Sequence, residues 1–142
     1  NKYTTMYLIM IVLFIAILIF YLKNKSKIHI IFGKVARSPQ ESAKGLMFRM
    51  TPLRQNEGML FLMSHKINSM WMKNTYIPLD VIFMDGWGTI LGYIENTVPT
   101  SLKSIQIDKK SSSVLEMNAG SVSKLGMNIG DTIKFIESGR HR

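Results

Sequence analysis

Gly58–Asp85 reads GMLFLMSHKINSMWMKNTYIPLDVIFMD. Two short apolar runs, Gly58–Met63 and Val81–Met84, bracket this stretch and have the length and composition of buried strands. Turn chemistry fills the space between them. Asn74 tolerates left-handed backbone, and Thr75 can hydrogen-bond within its own turn. Pro78 restricts Ile77 to extended geometry. Asp80 stands between Leu79 and Val81, where a carboxylate needs partners. Asp85-Gly86-Trp87-Gly88 then makes a turn and Thr89–Ile94 returns, which predicts a hairpin.

Elements of the same kind extend in both directions. Ile28, Ile30 and Phe32 alternate with His29 and Gly33, as a first strand would. Ser38-Pro39-Gln40-Glu41 is a capping box with proline at the first helical position. Ala43, Leu46, Met47 and Met50 follow at i, i+3, i+4 and i+7, predicting a helix that runs on to Pro52. Val114–Asn118 reads as a strand. Ser121–Leu125 reads as a helical turn closed by Gly126. Ile133 and Phe135 alternate with Thr132, Lys134 and Glu137 in a last strand. The expected fold is mainly β: a compact antiparallel barrel or sandwich with two short helices, preceded by one transmembrane helix.

Several of these segments follow one another in the order of a known family. GMLF at Gly58–Phe61, WMKNT at Trp71–Thr75, IPLD at Ile77–Asp80 and VIF at Val81–Phe83 resemble the core signature of the domain of unknown function 192. KGLMFR at Lys44–Arg49 resembles its opening motif. IEN at Ile94–Asn96, VLEMNAG at Val114–Gly120 and LGMNIGD at Leu125–Asp131 resemble its closing ones. The resemblance spans roughly Ile28 to Glu137. It implies a fold rather than an activity, because the family has no settled biochemistry. The chain departs from the family pattern at Met70, where an aromatic often precedes the Trp-Met pair.

The N-terminus carries the second strong signal. Tyr3–Leu22 has no charged residue and is almost wholly apolar. Twenty helical residues rise about 30 Å, the thickness of a hydrocarbon core. Tyr3, Tyr7 and Tyr21 sit near its ends, where amphipathic rings favour the interface, and Leu22-Lys23 closes it. A cleavable signal needs small residues at its cleavage site, and Leu22-Lys23-Asn24-Lys25 offers none, so an uncleaved single-pass anchor is expected. Lys23, Lys25 and Lys27 against Lys2 put the domain on the cytoplasmic side. Residues 1–27 are thus an anchor with a short basic tether, and residues 28–142 form one domain. Asn1 in place of an initiator methionine implies numbering that starts inside a longer chain.

About 115 residues follow the tether, enough for one small domain. No cysteine is present, which excludes disulfide frameworks and thiolate metal sites. The net charge is +9; without Lys2, Lys23, Lys25 and Lys27 the 18 basic residues fall to 14 against 9 acidic ones, leaving +5. These charges are scattered and not interleaved with aromatics, so nucleic acid is not an expected partner. The expected partners are the lipid bilayer and other proteins of a membrane-associated assembly.

Trp71 to Asp80 is the best candidate for chemistry. One reading brings Trp71, Asn74 and Asp80 together with Arg49 as a pocket for a polar ligand. The other has Asp80 capping its turn or pairing with Arg49, while Trp71 fills the core. Asp80, Asp85, Glu116 and Asp131 are the carboxylates from which an acid–base pair could be drawn, although Asp85 and Asp131 have the setting of turn residues. His29, His65 and His141 lack ligand spacing, and a copper reading of Met70 and Met72 beside Trp71 is weakened because Met6 and Met10 lie in the anchor and Met47, Met59, Met84 and Met117 read as core fill. No metal or cofactor is expected. Gly86–Gly92 misses the spacing of a nucleotide loop.

Two functions fit these features. The first is a non-enzymatic structural or docking component of a membrane-associated assembly. A minor capsid protein linking the shell of a virion to an internal membrane, its tail Ser138–Arg142 packed against a neighbour, would be one such component. The second is an envelope-associated domain that binds or transforms a small ligand at the Trp71–Asp80 region.

Overall fold

A computed structural model describes residues 1–139, so Arg140, His141 and Arg142, including one of the three histidines and the end of the expected tail, lie outside the described residues. The apolar N-terminus forms helix α1, Lys2–Lys23, capped by the Asn1 side chain. Its 22 residues rise about 33 Å, and none of them is buried. It is long and apolar enough to cross a membrane.

The rest builds a curled β-sheet from β1 (Ile28–Ala36), β2 (Glu57–Lys66), β3 (Leu79–Met84), β4 (Ile90–Ile94), β5 (Ser111–Asn118) and β6 (Thr132–Glu137). Two short helices, α2 (Pro39–Lys44) and α3 (Ser121–Lys124), complete it. The six strands lie in the order β4-β3-β5-β2-β1-β6. β1 runs parallel to both its neighbours, and every other pair is antiparallel. The parallel step from β1 to β2 needs a long crossover, and the 37–56 connection containing α2 supplies it.

Curling brings the two edges of the sheet together at one end. Thr89 bridges Thr132, the Ile90 amide donates to the Asp131 carbonyl at 2.8 Å, and the Ile133 amide donates to the Gly88 carbonyl at 2.8 Å. The result is a half-barrel. Gly33 and Gly58 stand opposite each other in the β1–β2 pair, and a Cβ at Gly33 would lie 1.8 Å from the Gly58 carbonyl oxygen, so only glycine fits.

Both faces of the sheet centre are covered. Ile31, Ile82, Leu115, Met117 and Ile133 pack with Val122 of α3 and Met127 on one face. Phe61, Val81, Phe83 and Val114 lie on the other, continued by Leu46, Leu53, Met72, Ile77 and Leu79. Burial on both sides explains why β3 is an unbroken buried run.

Two local expectations need correction. The alternation at the start of β1 faces the other way: Ile31 is buried, while Ile28 and Ile30 are exposed. His29 turns inward because its Nε2 meets Asp131 Oδ2 at 2.8 Å, and Gly33 turns inward because it must approach Gly58. The helix after the capping box ends at Lys44 instead of running on to Pro52. Gly45, with φ of 48°, turns the chain there, and a Cβ at that position would press on the Phe61 ring at 3.1 Å. Leu46 drops into the core, while Met50 is left exposed.

Candidate functional site

The four residues proposed as one pocket do not converge. Asp80 is fully buried. Its Oδ1 accepts from the Asn96 amide at 3.0 Å and its Oδ2 from the Val122 amide at 2.9 Å. Val122 lies in the first turn of α3, whose N-cap is Gly120 and makes no side-chain cap bond. Asp80 therefore supplies that cap from across the sheet and also ties down the 95–97 turn. Arg49 does not pair with Asp80; its Nε donates to the Thr51 carbonyl at 2.8 Å. Asn74 adopts φ of 51° and its carbonyl accepts the Phe48 amide at 2.8 Å. Trp71 does not fill the core. It is 48% exposed, with the Lys73 ammonium 5.0 Å from its ring centroid.

Asp85 and Asp131 are turn residues, as their settings suggested. Asp85 Oδ1 accepts the amides of Trp87 and Thr89, both at 2.9 Å. Asp131 accepts the amides of Lys27 and Asn128 and meets His29. Burial pulls the Asp131 carboxyl upward, but the His29 hydrogen bond, the two amides and the His29 charge together hold it below its ordinary value. The Lys27 contact also pins the end of the tether to the domain, so only Lys25 and Ser26 separate it from the helix cap at Asn24.

Glu116 differs from these three. It sits on β5 between Met59 of β2 and Val81 of β3. Only 5% of it is exposed, and it makes no hydrogen bond or ion pair with any described residue. Burial alone pushes its carboxyl up to about 8, so near neutral pH it is mostly the uncharged acid. Its oxygens are not sealed off, because they open on a cleft of about 250 Å³. That volume is below the roughly 300–1,000 Å³ of most ligand pockets, so the cleft has room for a small ligand.

Glu116 and Phe61 form the floor of this cleft from the sheet. Leu46 and Met47 wall it on one side, held there by the turn at Gly45. Met63, Met70 and Trp71 wall the other, and Ser42, Ser69 and Thr75 add hydroxyls to the lining. Met70 is fixed over the sheet by reciprocal 2.9 Å hydrogen bonds with the Ile105 backbone, and this sets Trp71 at the opening. Lys44 also lines the cleft and Lys73 lies against Trp71; both are solvent-exposed. A neighbouring groove, lined by Lys34, Glu41, Arg49 and Glu57, has no such idle group. Glu41 is engaged by the Arg37 and Ser38 amides, and Glu57 by Arg54.

Among the described residues, Trp71 and Glu116 line one cleft with Met70, His29 and Asp131 meet elsewhere, and Arg49, Asn74 and Asp80 join neither group. The available signal for Glu116 was a charged residue inside the apolar run VLEM. Among the described residues no group of three or more histidine and carboxylate side chains gathers to hold a metal. His65 instead contacts the Ser112 hydroxyl at 3.2 Å.

Comparison with known proteins places the fold. The DUF192 profile, described as an uncharacterized ACR, matches residues 20–135. A solved structure from Sinorhizobium meliloti 1021, provisionally described as a transcription regulator, is similar at 40% identity and a TM-score of 0.68, covering 70% of this chain and 78% of that one. A protein of unknown function from Novosphingobium aromaticivorans DSM 12444 is similar at 38% identity and a TM-score of 0.67, covering 70% of this chain and 71% of that one. Both share the half-barrel. No functionally curated protein matches.

Proposed function

We propose that this chain, which belongs to the DUF192 family, is a membrane-tethered domain that binds a small ligand in the Glu116 cleft. One observation carries the reading: a buried carboxyl with no hydrogen-bond partner among the described residues faces an open cleft lined by both apolar and polar side chains. Its oxygens are not enclosed but open on the cleft, so they can pair with a polar group that enters it. The cleft lining holds one carboxyl and no histidine, so the reading is binding rather than acid–base turnover.

The helix α1 is read as an uncleaved anchor. None of its residues is buried against the rest of the described chain, and the pinned tether keeps the domain near the helix end. Lys23, Lys25 and Lys27 favour a cytoplasmic domain. Alkaline carbonate should leave the chain in the membrane pellet, and deletion of residues 1–22 should release it. A mature chain starting near Ile28 would instead mark α1 as a signal. Protease added from the cytoplasmic side should reach the domain.

A thermal-shift screen of small molecules, run on the full chain and on Glu116→Leu, tests the binding reading. Compounds should raise the melting temperature of the first and not the second. If every stabilising compound acted equally on both, the cleft would not be the binding site.

A second reading is favoured by large apolar side chains left exposed on the domain, with Trp87 at 89% and Val98 and Leu102 also open. Here the domain docks to proteins of a membrane-associated assembly, for which a virion with an internal membrane is one setting. Such a contact should bury roughly 1,000 Å² or more. It requires co-purification with a partner in fixed stoichiometry, and a chain that stays alone in its membrane would exclude it.

A further inference from the structure

We infer that the Glu116 cleft takes a small neutral ligand, an apolar body bearing a single hydroxyl or carboxamide head, an inference that rests on the cleft being a ligand site.

The walls decide the body. Leu46, Met47, Phe61, Met63 and Met70 offer apolar surface, and methionine adapts to irregular shapes. Ser42, Ser69 and Thr75 add hydroxyls to the lining, but the Ser69 hydroxyl pairs with that of Ser104 and the Thr75 hydroxyl donates to the Lys73 carbonyl, so Glu116 is the lining carboxyl open to a ligand head.

The charges decide the head. Around Glu116, β2 presents Met59 and β3 presents Val81. Lys44 at the end of α2 and Lys73 beside Trp71 stand at the rim, and Lys34 lies beyond Met59 on β1. A cationic head would pass these lysines to reach the floor, which they oppose. An anionic head would have to lose its water beside a carboxyl, with no fixed cation at that depth. A neutral head meets neither cost. The protonated carboxyl, favoured by burial, both donates and accepts, so it pairs with a hydroxyl or reciprocally with a carboxamide.

Three probes with one body and different heads separate these cases: isobutyramide, isobutylamine and isobutyrate. They are titrated into the full chain carrying Trp87→Phe, in detergent micelles, with Trp71 fluorescence as the signal. At about pH 6 the amide should bind about tenfold more tightly than the amine or the acid, and it should weaken severalfold by about pH 9 as Glu116 ionises. Glu116→Gln keeps a donor and an acceptor, so it should retain amide binding and lose the pH dependence. The pH series on the chain with native Glu116 decides alone if that variant does not fold.

An amine that binds tightest and strengthens toward pH 9 would overturn the neutral class while leaving the cleft as a cation site. An acid that binds tightest would overturn it in favour of an anion site. Silence from all three probes, in Trp71 fluorescence and in the Glu116 carboxyl resonance, would overturn the cleft reading itself.

Discussion

Asp80 and Glu116 lie one register step apart on neighbouring strands, since Asp80 pairs with Met117 and Val81 with Glu116. Side chains alternate across a sheet, so the two carboxyls point to opposite faces. Both interrupt apolar runs and both are buried. Their surroundings differ completely. Asp80 receives two backbone amides and ties α3 and the 95–97 turn to the sheet. Glu116 receives none and faces a cleft. A buried charge that is satisfied by the fold is a structural strut. A buried carboxyl whose oxygens open on a cleft, with no partner among the described residues, is instead available to a group from outside the fold.

The largest effect that could break this contrast is at Asp80. Asp80→Ala leaves two buried amides without an acceptor, and chemical denaturation should show a loss of about 2–6 kcal/mol. Asp80→Asn keeps one acceptor and should lose less. A change near zero at Asp80 would remove the distinction between the two carboxyls.

Glu116→Gln should act in the opposite direction and depend on pH. The folded carboxyl titrates at about 8, against an ordinary value of 4.5. Between those values the folded chain holds a proton that the unfolded chain has released, so stability falls as pH rises from about 4.5 to about 8 and then levels off. Glutamine removes this slope. Above about pH 8 the variant should be more stable than the unaltered protein by roughly 3–6 kcal/mol, and at about pH 4 the two should match closely. Parallel stability curves would mean that Glu116 is solvated or paired.

The smallest effect belongs to Trp71. Because its ring is half-exposed, Trp71→Ala should cost less than about 1 kcal/mol, where a core tryptophan would cost roughly 3–5 kcal/mol. Ligand binding should nevertheless fall. A large loss of stability would return Trp71 to the core.

Most strands and turns were readable because they rest on local chemistry. The capping box at Ser38–Glu41, the Asp85–Gly88 turn and the Gly126 cap form as their residues direct. The inward face of β1 was not readable, since it depends on His29 meeting Asp131 and Gly33 meeting Gly58, both distant in sequence. The apolar spacing of Ala43, Leu46, Met47 and Met50 predicted a longer helix, and the phenyl ring of Phe61 against Gly45 overrode it. The site was half legible. Trp71 was named, but Asp80 and Glu116 present the same pattern in the chain. Only the amides that fold back from Asn96 and Val122 tell them apart.

The most direct test follows the Glu116 carboxyl carbon by NMR in the full chain as pH is raised without ligand. A midpoint at about 8 is expected. A midpoint at the ordinary carboxyl value, about 4.5, would show a partnered or hydrated carboxylate and contradict the claim that the cleft holds an idle acid.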